Sequence, residues 1–159
     1  MNKSYGGKNV ALIECINHKI GKYRIRWDIQ PYEDGASFME EDVLYKPTLD
    51  EIKYIVIGGI NKQTEMDILT GFKWQDMQIW LSSENQFNYK AAYDLALQTN
   101  GKALPVVFKF GDEENPIYYK FEELEDLQDF YFKMLAHINE QLAIGWKKKD
   151  SIDWEQYKL

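Results

Sequence analysis

Residues 121–154, FEELEDLQDFYFKMLAHINEQLAIGWKKKDSIDW, decide the fold class. Leu124, Leu127, Tyr131, Met134 and Ile138 recur at spacings of three and four, and Phe130, Leu135 and Leu142 widen the apolar face. That is the stripe of a helix laid on a core. Its ends suit the backbone dipole: Glu122, Glu123, Glu125, Asp126 and Asp129 open it, and Lys147, Lys148 and Lys149 close it. Gly145-Trp146 is expected to interrupt the helix. Beyond that point, Lys149-Asp150-Ser151-Ile152-Asp153-Trp154 and Tyr157 form an aromatic tail.

Upstream, the period changes. Tyr23, Ile25, Trp27 and Ile29 alternate with Arg24, Arg26, Asp28 and Gln30, which predicts a half-buried strand with its arginines outward. Val10 to Ile16 is β-like, and the turn His18 to Lys22 makes the two runs a hairpin. Ser4 to Lys8 reads as a polar, glycine-bearing start, and Pro31 to Ser37, with Asp34-Gly35 inside, as a turn or loop. Phe38 to Tyr45 fits either a short strand or an extended connection.

Thr48 and Glu51 form a capping box for a helix that Gly58-Gly59 should weaken, with a second start at Thr64 and a stop at Gly71. Phe72 to Leu81 reads as a hairpin or bent strand around Gln75-Asp76. Ser83 to Gln86 is a second capping box, opening a helix that Asn100-Gly101 ends. Leu104 to Phe110 and Ile117 to Phe121 form a further hairpin across an acidic turn. The expected fold is α+β, with antiparallel hairpins packed against a few helices and a long C-terminal amphipathic helix. A boundary near Pro47 would separate a β-rich N-terminal arm, residues 1–46, from an α+β body, residues 47–159, within one compact unit.

A chain of 159 residues suits one domain, and 45% hydrophobic residues suffice for its core. A net charge of −7 disfavours general nucleic-acid binding, which needs a basic face. Cys15, the only cysteine, reads as a small buried hydrophobe. With two distant histidines it makes too poor a ligand set for zinc, so no metal and no cofactor are expected. No apolar run reaches the ~20 residues of a membrane helix, and the N-terminus lacks a signal-peptide pattern. Synthesis in a cytoplasm and no membrane partner are therefore expected.

Catalytic constellations are sparse. The acidic runs Glu40-Glu41-Asp42, Glu113-Glu114 and Glu122-Glu123 read as solvated loops and helix caps rather than opposed acid–base pairs. His137, midway along the long helix, reads as a core-edge histidine with a hydrogen-bonded ring. Ser82-Ser83 lacks a nucleophile elbow and reads as helix capping, and Gly58-Gly59 lacks phosphate-loop spacing. No catalytic residue is assigned. The tail carries surplus features: Trp146, Lys147, Lys148, Lys149, Trp154 and Tyr157 form a candidate partner contact, with docking of the aromatics on the parent domain as the alternative.

Several segments share a pattern. Ile68-Leu69-Thr70-Gly71 leads into Phe72-Lys73-Trp74, and Ile79-Trp80-Leu81-Ser82-Ser83-Glu84-Asn85 follows. A hairpin and a long helix carrying His137-Ile138 then lead to Lys149-Asp150-Ser151-Ile152-Asp153. From about residue 48 to 154 the chain resembles a domain family of uncharacterised function carried by bacteriophage tail-fibre and other tail-region proteins. The family pattern usually has a glycine near Asp76, which this chain lacks. The resemblance implies a non-catalytic structural or adaptor protein of the virion, associated with the tail or tail fibre and made in the bacterial host cytoplasm. Its implied partners are other virion proteins, in a homo- or hetero-oligomer. Two other readings stand beside it: an assembly factor or host-directed binding protein outside the virion, and a carbohydrate-binding or glycan-active module using Trp27, Trp74 or Trp80.

Overall fold

The computed structural model describes residues 1–158. The fold is α+β, with three α-helices and antiparallel sheets among these residues. Strands β1 (Asn2–Gly6), β2 (Ile13–Asn17), β3 (Lys22–Tyr32) and β4 (Gly35–Val43) precede helix α1 (Leu49–Gly71). The short strands β5 (Lys73–Trp74) and β6 (Met77–Gln78) lead to α2 (Ser83–Gln98). Strands β7 (Val106–Gly111) and β8 (Pro116–Phe121), helix α3 (Leu124–Asp150) and a 3₁₀ turn (Trp154–Tyr157) complete the chain. It divides into two compact units: residues 1–63 with 145–159, and residues 64–144. The β-rich arm expected to end near Pro47 thus shares its unit with part of α1 and with the C-terminal tail.

Unit 1 is built on an antiparallel sheet in the order β1-β4-β3-β2. The alternation along β3 places Ile25 and Trp27 in a core with Ile52, Val56, Ile60 and Tyr157. On the other face, Arg24 donates from Nε to Asp42 Oδ1 at 2.7 Å and from a terminal nitrogen to Oδ2 at 3.0 Å. Arg26 does not point into solvent as the alternation suggested. It is only 8% exposed, donating to Ala11 O at 2.9 Å, Glu14 at 3.0 Å and Glu40 at 3.3 Å. Cross-strand carboxylates give the guanidinium the partners that a buried charge requires.

The start of the chain is a strand rather than a polar lead-in. Asn2 to Gly6 pair with Ala36 to Glu40, and Ser4 Oγ donates to Glu40 at 2.8 Å. The turn expected within Pro31 to Ser37 falls at Glu33-Asp34 as the tip of the β3–β4 hairpin, while its flanks are strand, with Tyr32 opposite Gly35.

Helix α1 runs unbroken through Gly58-Gly59, with no second start at Thr64. A Cβ on Gly59 would lie 2.3 Å from Trp27 Cζ2, so the indole rests directly on the helix backbone. Two mid-helix glycines cost roughly 2 kcal/mol in propensity. Burying an indole returns about 4–6 kcal/mol at about 25 cal/mol/Å². Tertiary packing wins. The Thr48–Glu51 capping box forms as read, with Thr48 N donating to Glu51 at 2.7 Å and Glu51 N to Thr48 Oγ1 at 3.3 Å.

Unit 2 holds an aromatic core. The Phe130 ring is surrounded by Phe72, Trp74, Tyr89, Phe108, Phe110 and Phe121, with centroids 5.1–6.1 Å away. Leu127, Tyr131 and Met134 are buried beside it, as their spacing on α3 predicted, whereas Leu135 turns outward. The hairpin around Gln75-Asp76 forms with both residues left-handed, at φ 47° and 62°. These are the values a two-residue type I′ connection demands, and glycine or asparagine meets them at least cost. Helix α2 is capped by Ser82 rather than Ser83: Asn85 N donates to Ser82 Oγ at 3.2 Å, and Gln86 reaches back to Leu81 O.

Gly145-Trp146 does not interrupt α3, which continues to Asp150.

Candidate functional site

A concave surface lies in unit 2 beside Trp80. Its construction begins in the extended segment after β6. Ile79 N donates to Phe72 O at 3.0 Å and Leu81 N to Leu69 O at 2.9 Å. The bonded backbone sends Ile79 and Leu81, both essentially fully buried, into the core. The intervening Trp80 must then face the other way, and it is 49% exposed. No other ring stacks on it among the described residues.

Three neighbouring elements complete a groove of about 890 Å³. The β5–β6 turn contributes Asp76, Met77 and Gln78. The first turn of α2 contributes Asn85, and the β7–β8 end contributes Lys109, Asp112, Glu113, Asn115 and Ile117. Each amide is held by its nitrogen. Gln78 Nε2 donates to Thr70 O at 2.6 Å and Phe72 O at 3.0 Å, and Asn85 Nδ2 donates to Trp80 O at 2.8 Å. The β7–β8 connection is fastened by Asp112, whose Oδ1 accepts from Asn115 N at 2.6 Å and Asn115 Nδ2 at 3.2 Å. Gly111, at φ 78°, permits that fold-back: a Cβ there would meet Asn115 O at 2.4 Å. The volume and the mixture of apolar wall and convergent polar groups are those of a binding cleft.

The tail residues are split by the structure, which docks some and leaves others outside. Tyr157 is 4% exposed, and its hydroxyl donates to Arg26 O at 2.8 Å. Trp154 packs against the same core, its ring 5.5 Å from that of Tyr157. Burial pushes the Tyr157 phenol up to about 12. Lys148 pairs with Asp28 at 2.8 Å, and Lys149 donates to Asn61 Oδ1 at 2.9 Å. Trp146 and Lys147 remain exposed on α3. Two of the three aromatics of the candidate contact, Trp154 and Tyr157, therefore serve the parent unit, leaving Trp146 and Lys147 available.

Around Asp28 a smaller cavity of about 370 Å³ is lined by Trp27, Ile60, Lys148 and Ile152. Asp28 sits at φ 52° where the β3–β4 register shifts, a conformation aspartate tolerates better than most residues. On the far face of the same sheet, Arg24 beside Asp42 holds that carboxyl well below the usual range, with Lys22 adding to the effect.

His137 Nε2 lies 3.2 Å from Asp67 O, and its ring is 5.6 Å from that of Phe72. Gly71 accommodates it, since a Cβ there would come within 3.1 Å of the imidazole. Cys15 is partly exposed rather than fully buried, with Sγ 3.4 Å from His18 Nδ1. Among the described residues, no three His, Cys, Asp or Glu side chains converge as a metal site, and no helix is long and apolar enough to cross a membrane. Of the tryptophans suggested for a sugar surface, Trp27 and Trp74 are each 2% exposed and present no ring face. Trp74 is further tied down by its indole N–H, which donates to Asp129 at 2.9 Å. Trp80 alone of the three is accessible.

Comparison with family models, curated proteins and solved structures returns no match to this chain.

Proposed function

We propose that this chain is a non-catalytic structural or adaptor protein of a bacteriophage particle, associated with the tail or tail fibre, that acts through protein–protein contacts. The observation that supports this reading is the groove at Trp80. A half-exposed indole is held in place by two buried neighbours and surrounded by polar groups. Rigid aromatic side chains at the edge of a cleft are efficient interface anchors, because their burial on binding forfeits little conformational entropy. The segment that builds this wall, Ile79 to Asn85, is also one of those that resemble the tail-region family. Further exposed rings at Phe87 and Tyr118 add apolar surface to the same unit.

The test is protein mass spectrometry on purified particles of the phage that encodes the chain. Stoichiometric recovery with tail components supports the proposal. Early expression with complete absence from particles overturns it and favours a host-directed factor. Recovery with a tail protein from infected cells, but never from mature particles, assigns the chain to assembly instead.

A further inference from the structure

The groove at Trp80 offers more hydrogen-bond acceptors than donors. Both N–H groups of Gln78 are committed to main-chain carbonyls, while Asn85 and Asn115 each commit one of their two, to Trp80 O and to Asp112. Each of the three keeps its oxygen as an acceptor, and Asn85 and Asn115 keep one N–H apiece. The carboxylates of Asp76, Asp112 and Glu113 add more acceptors, and Lys109 is the single cationic side chain in the lining. A sugar hydroxyl carries no charge, so it makes no use of the net negative charge that Asp76, Asp112 and Glu113 give the lining against Lys109 alone. A guanidinium has five N–H donors, no acceptor and a planar face suited to stacking on an indole. The net charge of the chain, −7, favours approach by a cation.

We propose that this groove receives an arginine side chain of a partner protein. The guanidinium stacks on Trp80 and donates to the oxygens of Asp76, Gln78, Asn85 and Asp112. The proposal rests on the reading of the chain as a protein-binding module and names the chemistry of its partner. Lys109 opposes the bound charge and tempers its affinity.

The full chain, isotopically labelled, is titrated by NMR with a short peptide carrying two arginines and with its citrulline counterpart, which keeps the shape and removes the charge. Saturable shifts of the Trp80 indole N–H and of the Gly111 to Asn115 amides are expected with arginine. Citrulline should weaken binding by roughly tenfold, as should Trp80→Ala. Lys109→Gln should strengthen binding several-fold, and about 0.5 M salt should weaken it. Circular dichroism of each variant separates loss of binding from loss of fold.

Equal binding of the citrulline peptide overturns the proposal. So does absence of any shift at about 10 mM peptide, a ceiling that detects even very weak association. A neutral oligosaccharide that moves the same signals more strongly overturns it in favour of a glycan site. Particle composition is read independently. Arginine binding by a chain absent from virions sinks the virion assignment alone, and a virion chain indifferent to arginine sinks the groove assignment alone.

Discussion

The two units reach a defined structure by different means. Unit 1 sets a layer of charge on one face of its sheet, where Arg24, Arg26, Glu14, Glu40 and Asp42 interlock, and a close fit of Trp27 against Gly59 on the other. Unit 2 contains no comparable ionic layer among its described contacts and relies on rings packed around Phe130. The contrast shows two routes to specificity. A charged layer enforces register because a slipped strand leaves a buried charge unpaired. An aromatic cluster enforces shape, because offset and edge-on ring contacts tolerate few alternative arrangements.

The largest effect should come from Phe130→Ala. It should cost about 4 kcal/mol in urea denaturation, with the loss of amide-exchange protection concentrated in residues 64–144. Equal loss of protection in the charged sheet would break the distinction. Gly59→Ala is next, at about 2 kcal/mol, since the added methyl collides with a buried indole and with no flexible side-chain end. Its signature should appear first in the amides of β3 and the first half of α1.

Alkali and acid sharpen the comparison. Burial raises Tyr89 and Tyr157 to about 12, so the stability tied to their neutral phenols is complete below the unfolded value near pH 10 and is lost as pH rises through about 12. Tyr157→Phe should blunt the alkaline loss in unit 1 and Tyr89→Phe that in unit 2, each by up to about 2 kcal/mol in denaturation at fixed alkaline pH. Asp42 behaves in the opposite sense. Its depressed folded value means that its contribution is present above about pH 4 and disappears as pH falls through that lower value. Asp42→Asn should cost about 1 kcal/mol at neutral pH, after allowance for solvent screening, and progressively less in acid. No acid-dependent difference from wild type would remove the ionic layer from the account of unit 1.

The smallest change should be a gain. Replacing Gln75-Asp76 by Asn-Gly relieves two left-handed non-glycine residues and should raise the stability of unit 2 by about 0.5–1 kcal/mol. A loss would show that those side chains hold the turn through contacts of their own.

The features legible in the sequence are those whose causes are local. The alternation from Tyr23 to Gln30 marks a strand, Thr48 and Glu51 mark a helix start, and the three-and-four spacing from Leu124 to Ile138 marks the long helix. The features that were not legible depend on distant partners. Asn2 to Gly6 has no apolar alternation to announce it and becomes a strand by pairing with β4. The helix survives Gly58-Gly59 because of an indole more than thirty residues away in sequence. Arg26 looks like a surface residue until Glu14 and Glu40 arrive from adjacent strands. The groove was hidden for the same reason. Asp76, Trp80, Asn85 and Asp112 are scattered along the chain and line one groove only when two hairpins and a helix start converge. The Ile79-Trp80-Leu81 triplet is apolar at every position, so only the structure shows that its middle ring faces outward.

The contact between Trp27 and Gly59 has a consequence for heredity. A methyl at position 59 and an indole at position 27 cannot share the space, so neither site can drift alone without penalty. In diverging relatives, a larger residue on the helix should travel with a smaller ring or an aliphatic group on the strand. That paired inheritance would mark common descent where overall sequence similarity has faded.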